Sequence, residues 1–359
     1  MRLTTVIAKL EPGGAQLGAL RKLLALREHG IESHVIAAEA TAPGIGLFTT
    51  HGIGIEVWGR CSGMQYACRS DFADWLRPRL ARAEIVHAHM FGAWWAAARA
   101  VPAAVPLVGS EHNAFQWPGR PRRTEMHEAV RRIDLFYSHS PAARREVLAA
   151  GLDRARIRHG LSPVPFAGRF VPLGAETASR RVVFAGRLHR DKGPDVLVEA
   201  LGLMERPPPA FILGAGPEED ALRRRVAELG LAERVTFPGW QDDPAAWLAG
   251  AAACVVPSRH DARPQSALLA MGMRVPVIAS AVEGVPLVVA RGRGVAVPPD
   301  DPAALAEAID AVLERRVLPD LDASQAYAMA HSPERVARIY AADYAELVER
   351  PAMAQPLAA

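Results

Sequence analysis

With 359 residues, the chain is long enough for two or three domains, each able to bury a core of its own. Half of the residues are hydrophobic, 23% are charged and the net charge is +3, which describes an ordinary globular protein and excludes a nucleic-acid binder working by bulk positive charge. Cys61, Cys68 and Cys254 are the three cysteines, too few and too scattered for a disulfide framework or a zinc site, so a reducing cytoplasm is the expected setting. Only Leu3 to Ala8 precede Lys9 and Glu11, too short a run for a signal-peptide core. The longest apolar stretch, between Pro244 and Pro257, is too short to span a bilayer. The expected localisation is cytoplasmic or membrane-peripheral. Residues 1–165 hold 21 Lys and Arg against 14 Asp and Glu, an excess of +7, while the remainder is net −4. A solvated face explains that excess as well as an acidic acceptor or an anionic membrane surface does.

Thr4 to Leu10 reads as a first strand and Pro12-Gly13-Gly14 as a tight turn. Ala15 to His29 is a helix with Leu17, Leu20, Leu24 and Ala25 on its apolar face, and Gly30 ends it. Ser33 to Ala38 is the next strand. A strand, a Gly turn, a helix and a strand form a βαβ unit, so a parallel sheet is expected. Further strands follow at Ile53 to Trp58, Ile85 to Ala88, Pro106 to Gly109 and Leu135 to Ser138. Asp153 to Ile157 leads into a last short one.

Leu161 to Thr177 is punctuated by Pro163, Pro165, Gly168, Pro172 and Gly174, and reads as a linker. After it the pattern restarts. Strands are expected at Val182 to Ala185, Ala210 to Leu213, Arg234 to Phe237, Cys254 to Pro257, Pro276 to Ala279 and Val295 to Val297. Helices are expected at Pro194 to Leu203, Glu218 to Leu229, Pro244 to Ala251, Ala267 to Met273 and Pro302 to Leu313. The fold class is therefore α/β, with two doubly wound Rossmann-like domains, residues 1–163 and 179–330, joined by a linker at 164–178. In such sheets ligands bind at the carboxyl ends of the strands, and the two sets of ends are expected to face a cleft. Residues 331–359 supply a final amphipathic helix and tail, the helix carrying Val336, Ile339, Tyr340, Tyr344 and Leu347 and expected to pack against the second domain.

The turn after Val182 to Ala185 carries chemistry. Gly186 breaks the strand, Arg187 follows, and Asp191-Lys192-Gly193-Pro194 leads into a helix. A strand, a glycine turn and a helix start can cradle phosphate, because free N–H groups and the positive helix end face the loop. Arg187 and Lys192 add two cations. Lysine is rare in this chain, which has only Lys9, Lys22 and Lys192 against 39 arginines, so a lysine in that loop carries weight.

The motifs on either side form a series. Gly186-Arg187-Leu188 with Asp191-Lys192-Gly193 is followed by Gly214-Ala215-Gly216-Pro217, Val235-Thr236-Phe237-Pro238-Gly239 and Pro257-Ser258-Arg259. Val275-Pro276-Val277-Ile278-Ala279-Ser280 and Gly284-Val285-Pro286 complete it. In that order the second half resembles the retaining nucleotide-sugar glycosyltransferases of the GT-B fold, the family 4-like "glycosyl transferases group 1". The first half agrees more loosely, through Gly13-Gly14, Val86-His87-Ala88-His89 and Ser110-Glu111-His112-Asn113. The resemblance implies that Arg187 and Lys192 hold the diphosphate of a nucleotide sugar, a UDP-sugar being the commoner case, and neutralise the leaving group. It implies that Gly13 and Gly14 let the first-domain backbone approach the phosphate and donor sugar, and that His112 lies beside the reacting sugar. Retention by front-face attack, with no protein nucleophile, no metal and no cofactor beyond the co-substrate, is implied as well. Gly239 and Gly284 fall in the donor neighbourhood.

His87 and His89, two apart on a strand, point to one face; a metal pair and an ordinary strand ending both fit. Trp94-Trp95 reads as packing more readily than as a sugar platform. The acceptor, a small molecule, glycan or lipid-linked group, is expected against the first domain near Gly13-Gly14, His89 to Phe91 and His112 to Arg123. There Arg120, Arg122 and Arg123, with Arg131 and Arg132, form either an acceptor contact or a solvated face.

The sequence also departs from the family pattern. Where two glutamates eight positions apart are usual, it has Asp261 and Leu269. Asp261 keeps the charge with a shorter reach and, with His112, is a candidate catalytic residue. Leu269 cannot accept a hydrogen bond, so a ribose hydroxyl loses a carboxylate partner, a loss of about 1.5–3 kcal/mol per charge-assisted bond. Ala262-Arg263-Pro264 replaces Gly-Phe-Gly; Pro264 removes a backbone N–H and Arg263 adds a cation. Leu287 replaces an acid after Pro286. Three readings follow: an active transferase with an altered donor subsite, a degenerate GT-B protein that binds a nucleotide sugar or a partner transferase without turnover, and another chemistry on the same scaffold, such as an epimerase or a pyridoxal phosphorylase. The last would need a Schiff-base lysine where Lys192 is already assigned.

Overall fold

The computed structural model describes residues 1–64, 66–112, 123–164 and 180–349. The linker from 165, the tail from 350, and Asn113, Arg120 and Arg122 lie outside the described residues, as does the side chain of Arg123. The chain divides into two compact units, Met1–Pro163 together with the chain from Pro333, and Val164–Ser332.

The first unit alternates strand and helix: β1 (Arg2–Leu10), α1 (Gly14–Arg27), β2 (Glu32–Ala40), α2 (Ala42–Thr49), β3 (Ile55–Val57), α3 (Ser70–Leu80), β4 (Ile85–His89), α4 (Phe91–Ala100), β5 (Leu107–Glu111), α5 (Arg123–Arg132), β6 (Leu135–Ser138), α6 (Pro141–Ala149) and β7 (Ile157–His159). Its seven strands are ordered β3-β2-β1-β4-β5-β6-β7, and every pair is parallel. The order reverses between β1 and β4. Helices cover both faces, so the strands are apolar on both sides. Val6 and Ala8 of β1 join Val86 and Ala88 of β4 in one core layer, with Trp94 and Trp95; Leu3, Ile7 and Ile85 face the other.

The second unit repeats the scheme with β8 (Val182–Ala185), α7 (Pro194–Leu203), β9 (Ala210–Leu213), α8 (Glu219–Glu228), β10 (Val235–Gly239), α9 (Pro244–Leu248), β11 (Ala253–Val256), α10 (Gln265–Gly272), β12 (Val277–Ser280), α11 (Val285–Val289), β13 (Val295–Val297), α12 (Pro302–Leu313) and α13 (Leu321–Met329). The order β10-β9-β8-β11-β12-β13 is again parallel, reversing between β8 and β11. Two layers of buried residues flank this sheet, one against α7 and α12 and one against α10 and α11. The chain ends its described part in α14 (Pro333–Glu349).

Two expectations are corrected here. The buried face of α1 is Ala19, Leu20, Leu23 and Leu26, with Gln16 and Lys22, and Leu17, Leu24 and Ala25 lie at its margin. The helix is turned so that its narrow stripe meets the sheet, and Lys22 goes inside. Likewise α14 packs within the first unit, not the second. Its Val336, Ala337, Tyr340, Tyr344 and Leu347 join the layer of Leu3, Leu23 and Tyr137. Tyr137 donates to Asp343 Oδ2 at 2.5 Å and stacks on Tyr340 with ring centroids 4.1 Å apart. Aromatic side chains on α14 find their partners on β6 and α1, which amphipathic periodicity alone does not specify.

Candidate functional site

In a doubly wound sheet the loops leaving adjacent strands diverge where the strand order reverses, which opens a crevice at the carboxyl ends. In the second unit those loops follow β8 and β11. The first runs through Gly186 and Arg187 to a single 3-10 turn, Arg190–Lys192, and then Gly193 at φ 64°. A Cβ on Gly193 would lie 2.0 Å from the Pro257 carbonyl oxygen, so only glycine allows both this left-handed turn and the contact with the second loop. Backbone bonds join the two loops further. Arg259 N and His260 N donate to Asp191 O at 2.8 and 3.1 Å, and the Arg259 guanidinium grips Asp195 with two bonds of 2.8 and 2.7 Å. Burial works against ionisation of Asp195, but the Arg259 hydrogen bonds outweigh it and hold the carboxyl below its usual range.

That scaffold brings the expected Lys192 and Asp261 together. Lys192 Nζ donates to Asp261 Oδ2 at 2.5 Å and to the His260 carbonyl at 3.4 Å. Ser258 Oγ donates to the same carboxylate oxygen at 3.4 Å. An ammonium has three hydrogens, so these two contacts among the described residues leave one for an anion. Asp261 is 11% exposed and Lys192 24%, enough desolvation for the pair to be strong.

Sequence reasoning missed Glu283. It stands at φ 45°, and its carboxylate, 11% exposed, lies 3.2 Å from His260 Nδ1. Burial raises its pKa, opposed by the His260 hydrogen bond and charge, with Asp261 adding to the rise and Lys192 offsetting it. The next residue explains its place: a Cβ on Gly284 would come within 2.0 Å of Ala262 O, so the backbone after β12 is pressed against the Asp261 loop. The available signal was an acid directly before Gly284-Val285-Pro286. Asp261, His260, Lys192 and Glu283 form one polar cluster.

The other expected residues are dispersed around it. Arg187 is exposed in the β8 loop and Arg263 is half-buried beyond Asp261. Gly239 closes β10 at φ 79°, and its carbonyl accepts from Gly214 N at 2.9 Å. Leu269, on α10, is a core residue at 7% exposure, packed among Val183, Val256 and Leu268. It faces apolar neighbours, and its side chain takes no part in the polar cluster. Pro264 forms the N-cap of α10 without a capping side chain.

In the first unit the order reverses between β1 and β4. Gly13 is extended at φ 177°, a conformation open to any residue, and Gly14 begins α1. His89 ends β4 and His112 follows β5, with His89 Nδ1 3.0 Å from His112 Nε2. Both line a small recess with Ile7, Ala15, Gln16, Ala19 and Met90. The His112 ring stacks on His139 at 4.0 Å between centroids, and its backbone N–H donates to Glu111 Oε1 at 3.1 Å. His87 and His89 do share one face, their rings 4.2 Å apart. His87 is engaged by Tyr344 OH and Ser110 Oγ, each at 2.6 Å, which are hydrogen-bond partners and not a ligand set. Among the described residues no group of three or more His, Cys, Asp or Glu is placed to hold a metal ion. Trp94 and Trp95 are core residues at 0% and 3% exposure. Arg132 is spent internally on Asp134 and the carbonyls of Pro102 and Val105, while Arg131 is exposed.

Two parallel doubly wound units of this kind define the GT-B class of protein architecture. Residues 12–159 match Glycosyltransferase Family 4 and residues 179–315 match Glycosyl transferases group 1. The chain belongs to the family 4 and group 1 glycosyltransferases. Similar proteins include a D-inositol 3-phosphate glycosyltransferase of Jonesia denitrificans, 31% identical over 208 residues, which are 54% of this chain and 48% of that protein. One of the same name from Mycolicibacterium gilvum is 33% identical over 174 residues, 46% of this chain and 38% of that one. The matches thus span about half or less of the length of these curated relatives. Among solved structures, Anabaena Alr3699/HepE in complex with UDP has a TM-score of 0.78 at 19% identity, covering 96% of this chain and 100% of that one. Sucrose-phosphate synthase from Thermosynechococcus elongatus has a TM-score of 0.74 at 20% identity, covering 97% and 99%. These likenesses establish the fold. Among the described residues no helix is long and apolar enough to cross a membrane.

Proposed function

We propose that this chain is an enzyme that transfers a sugar from a nucleotide-diphosphate sugar to an acceptor, with retention of anomeric configuration and without a metal ion. The observation that carries the reading is Lys192, an ammonium held by Asp261 at the switch point of the second unit, with one hydrogen left to donate among the described residues. A diphosphate is the ligand class that suits such a cation together with Arg187 of the same loop. Their positive charge stabilises the leaving nucleoside diphosphate as the bond to the sugar breaks, which does the work a metal does elsewhere. Asp261 and Glu283 supply acceptors for sugar hydroxyls, Glu283 standing in for the hydrogen-bonding capacity that Leu269 lacks. From the first unit, His112 acts on the reacting sugar, and Gly13 and Gly14 give the backbone access to it. Arg263, Gly239 and Gly284 complete the donor neighbourhood. Support comes from Alr3699/HepE, solved with UDP and with UDP-glucose, and from relatives named as glycosyltransferases, which make a UDP-sugar the first donor to try.

A thermal-shift panel of UDP, GDP, ADP and their sugars tests it. A ligand at about 100 times its dissociation constant stabilises the protein by about 2.7 kcal/mol. No shift with any nucleotide would sink the reading. A second reading, a GT-B protein that binds the donor without turnover, is favoured by the apolar placement of Leu269. It predicts a shift with the nucleotide sugar and neither hydrolysis nor transfer.

A further inference from the structure

His260 ties together the loops that follow β8, β11 and β12. Its backbone N–H donates to Asp191 O at 3.1 Å and its carbonyl accepts from Lys192 Nζ at 3.4 Å, both in the loop after β8. Its ring reaches the loop after β12, where Nδ1 lies 3.2 Å from Glu283 Oε1. The imidazole is 48% exposed and the carboxylate 11%, so a half-solvated ring is joined to a largely desolvated acid. The other charged groups around this pair are already engaged. Asp261 holds Lys192, Arg259 holds Asp195 and Asp300, and the Asp191 carboxylate lies 3.4 Å from His189 Nδ1.

The charge of the cluster turns on this pair. Lys192 and Asp261 cancel, and what remains is the charge of Glu283 and His260 together. With one titratable proton between them the pair is negative; with two it is neutral. That holds wherever the protons sit, as an imidazolium beside a carboxylate or as a neutral ring beside a carboxyl. An anion arriving nearby favours the two-proton state, because like charges disfavour ionisation and a carboxylate so little exposed is poorly screened. Burial already raises the Glu283 carboxyl, opposed by His260, and Lys192 is near enough to offset part of the rise. An anion seated on Lys192 is therefore near enough to increase it. We propose that the Glu283–His260 pair takes up a proton when the diphosphate of a nucleotide sugar settles on Lys192, so that donor affinity is linked to pH. This deepens the function proposed above and rests on it. The donor-bound state holds the proton more tightly than the free state. Affinity is therefore greatest at low pH and falls as pH rises through the range where the free pair gives that proton up.

Titration calorimetry of the full chain with UDP-glucose counts the protons exchanged when it is run in two buffers of different ionisation enthalpy, at several pH values between about 6 and 8.5. Both phosphates of UDP-glucose are doubly substituted and do not titrate in that range, so the count belongs to the protein. Wild type should take up a fraction of a proton per UDP-glucose, and its affinity should fall by up to about tenfold per pH unit. His260→Gln should abolish most of the uptake and Glu283→Gln should reduce it, each with a flatter pH profile. A residue that merely held the loops together would change affinity equally at every pH. Binding without uptake in wild type, or uptake unchanged in His260→Gln, overturns the proposal and leaves the diphosphate role of Lys192 standing. No binding of UDP-glucose at any of these pH values overturns it together with the function on which it rests. The wild-type proton count is decisive even where a variant fails to fold.

Discussion

Lys192 Nζ and Asp261 Oδ2 lie 2.5 Å apart across two loops that leave strands β8 and β11 on either side of the reversal in strand order. Under the proposed function the contact divides the work: the cation serves the diphosphate, and the carboxylate orients it beside the sugar. Lys192→Ala should therefore weaken a nucleoside diphosphate by roughly 10–100-fold, the value of one charge-assisted bond. Asp261→Asn keeps the ammonium and should leave nucleotide affinity within about threefold while lowering transfer by roughly 100-fold. Titration calorimetry with UDP, paired with product formation, reads both; equal affinity in wild type and Lys192→Ala would refute the diphosphate role.

The turn that carries Lys192 was legible in the sequence, because Gly186, Lys192 and Gly193 are close together and the geometry of a βα turn is local. Strands such as Val182–Ala185 and Leu135–Ser138 were likewise readable from short β-branched or aromatic runs. What remained hidden depends on tertiary rotation. Lys22 looks like one more helix residue until α1 turns its Ala19, Leu23 and Leu26 face to the sheet. Glu283 enters the cluster only because Gly284 lets two loops touch at Ala262. The unit on which α14 packs is set by Tyr340 meeting Tyr137, a contact 203 residues apart in the chain.

Gly193 joins the two loops by its lack of a side chain. Its φ of 64° and the 2.0 Å separation between an added Cβ and Pro257 O put both strain and a backbone collision into Gly193→Ala. The left-handed conformation alone costs about 1–2 kcal/mol for an alanine. The variant should lose more than that, at least ~2 kcal/mol, and with it nucleotide binding, since Lys192 is the preceding residue. Chemical denaturation of the second unit checks the first part; a loss below about 1 kcal/mol would mean that the loops part without cost.

Tyr340 is 1% exposed and stacks on Tyr137 within the first unit. Tyr340→Ala should open a cavity there at a cost of about 3–5 kcal/mol. Peptide-resolved hydrogen exchange locates the loss. Protection should fall across β1, β4 and β6 and stay unchanged in β8 and β11. Equal loss in the second unit would contradict the placement of α14.

Glu283 gives the second unit an acid dependence of stability. Its carboxyl is raised by burial, so the folded state holds a proton that the unfolded chain has released. The contribution is fully present below the ordinary carboxyl value and is lost as pH rises through the raised one. Glu283→Gln removes the cost of burying the charge. Relative to wild type, the variant should gain stability as pH rises from about 4 to 7. A difference in urea midpoint that is flat over that range would show that Glu283 is ionised without cost.

Lys22 gives the first unit the opposite dependence. Its amine is pushed down to about 7 by burial, against 10.5 for a free lysine. Between about pH 7 and pH 10 the unfolded chain therefore binds a proton that the folded chain does not, and unfolding free energy rises with pH by up to about 1.4 kcal/mol per unit. Below that window both states are protonated and the slope from this group disappears. Lys22→Met has no such group, and its slope should lack this component. Urea unfolding of the first unit, followed by hydrogen exchange of β1 and β4 amides at several pH values between about 7 and 9, gives the comparison. Wild type should gain on Lys22→Met at each step upward. Parallel stability curves for the two proteins would place the proton on the buried amine throughout that range, and the cluster of Lys22, His87 and His89 would then have to be read as a charged one.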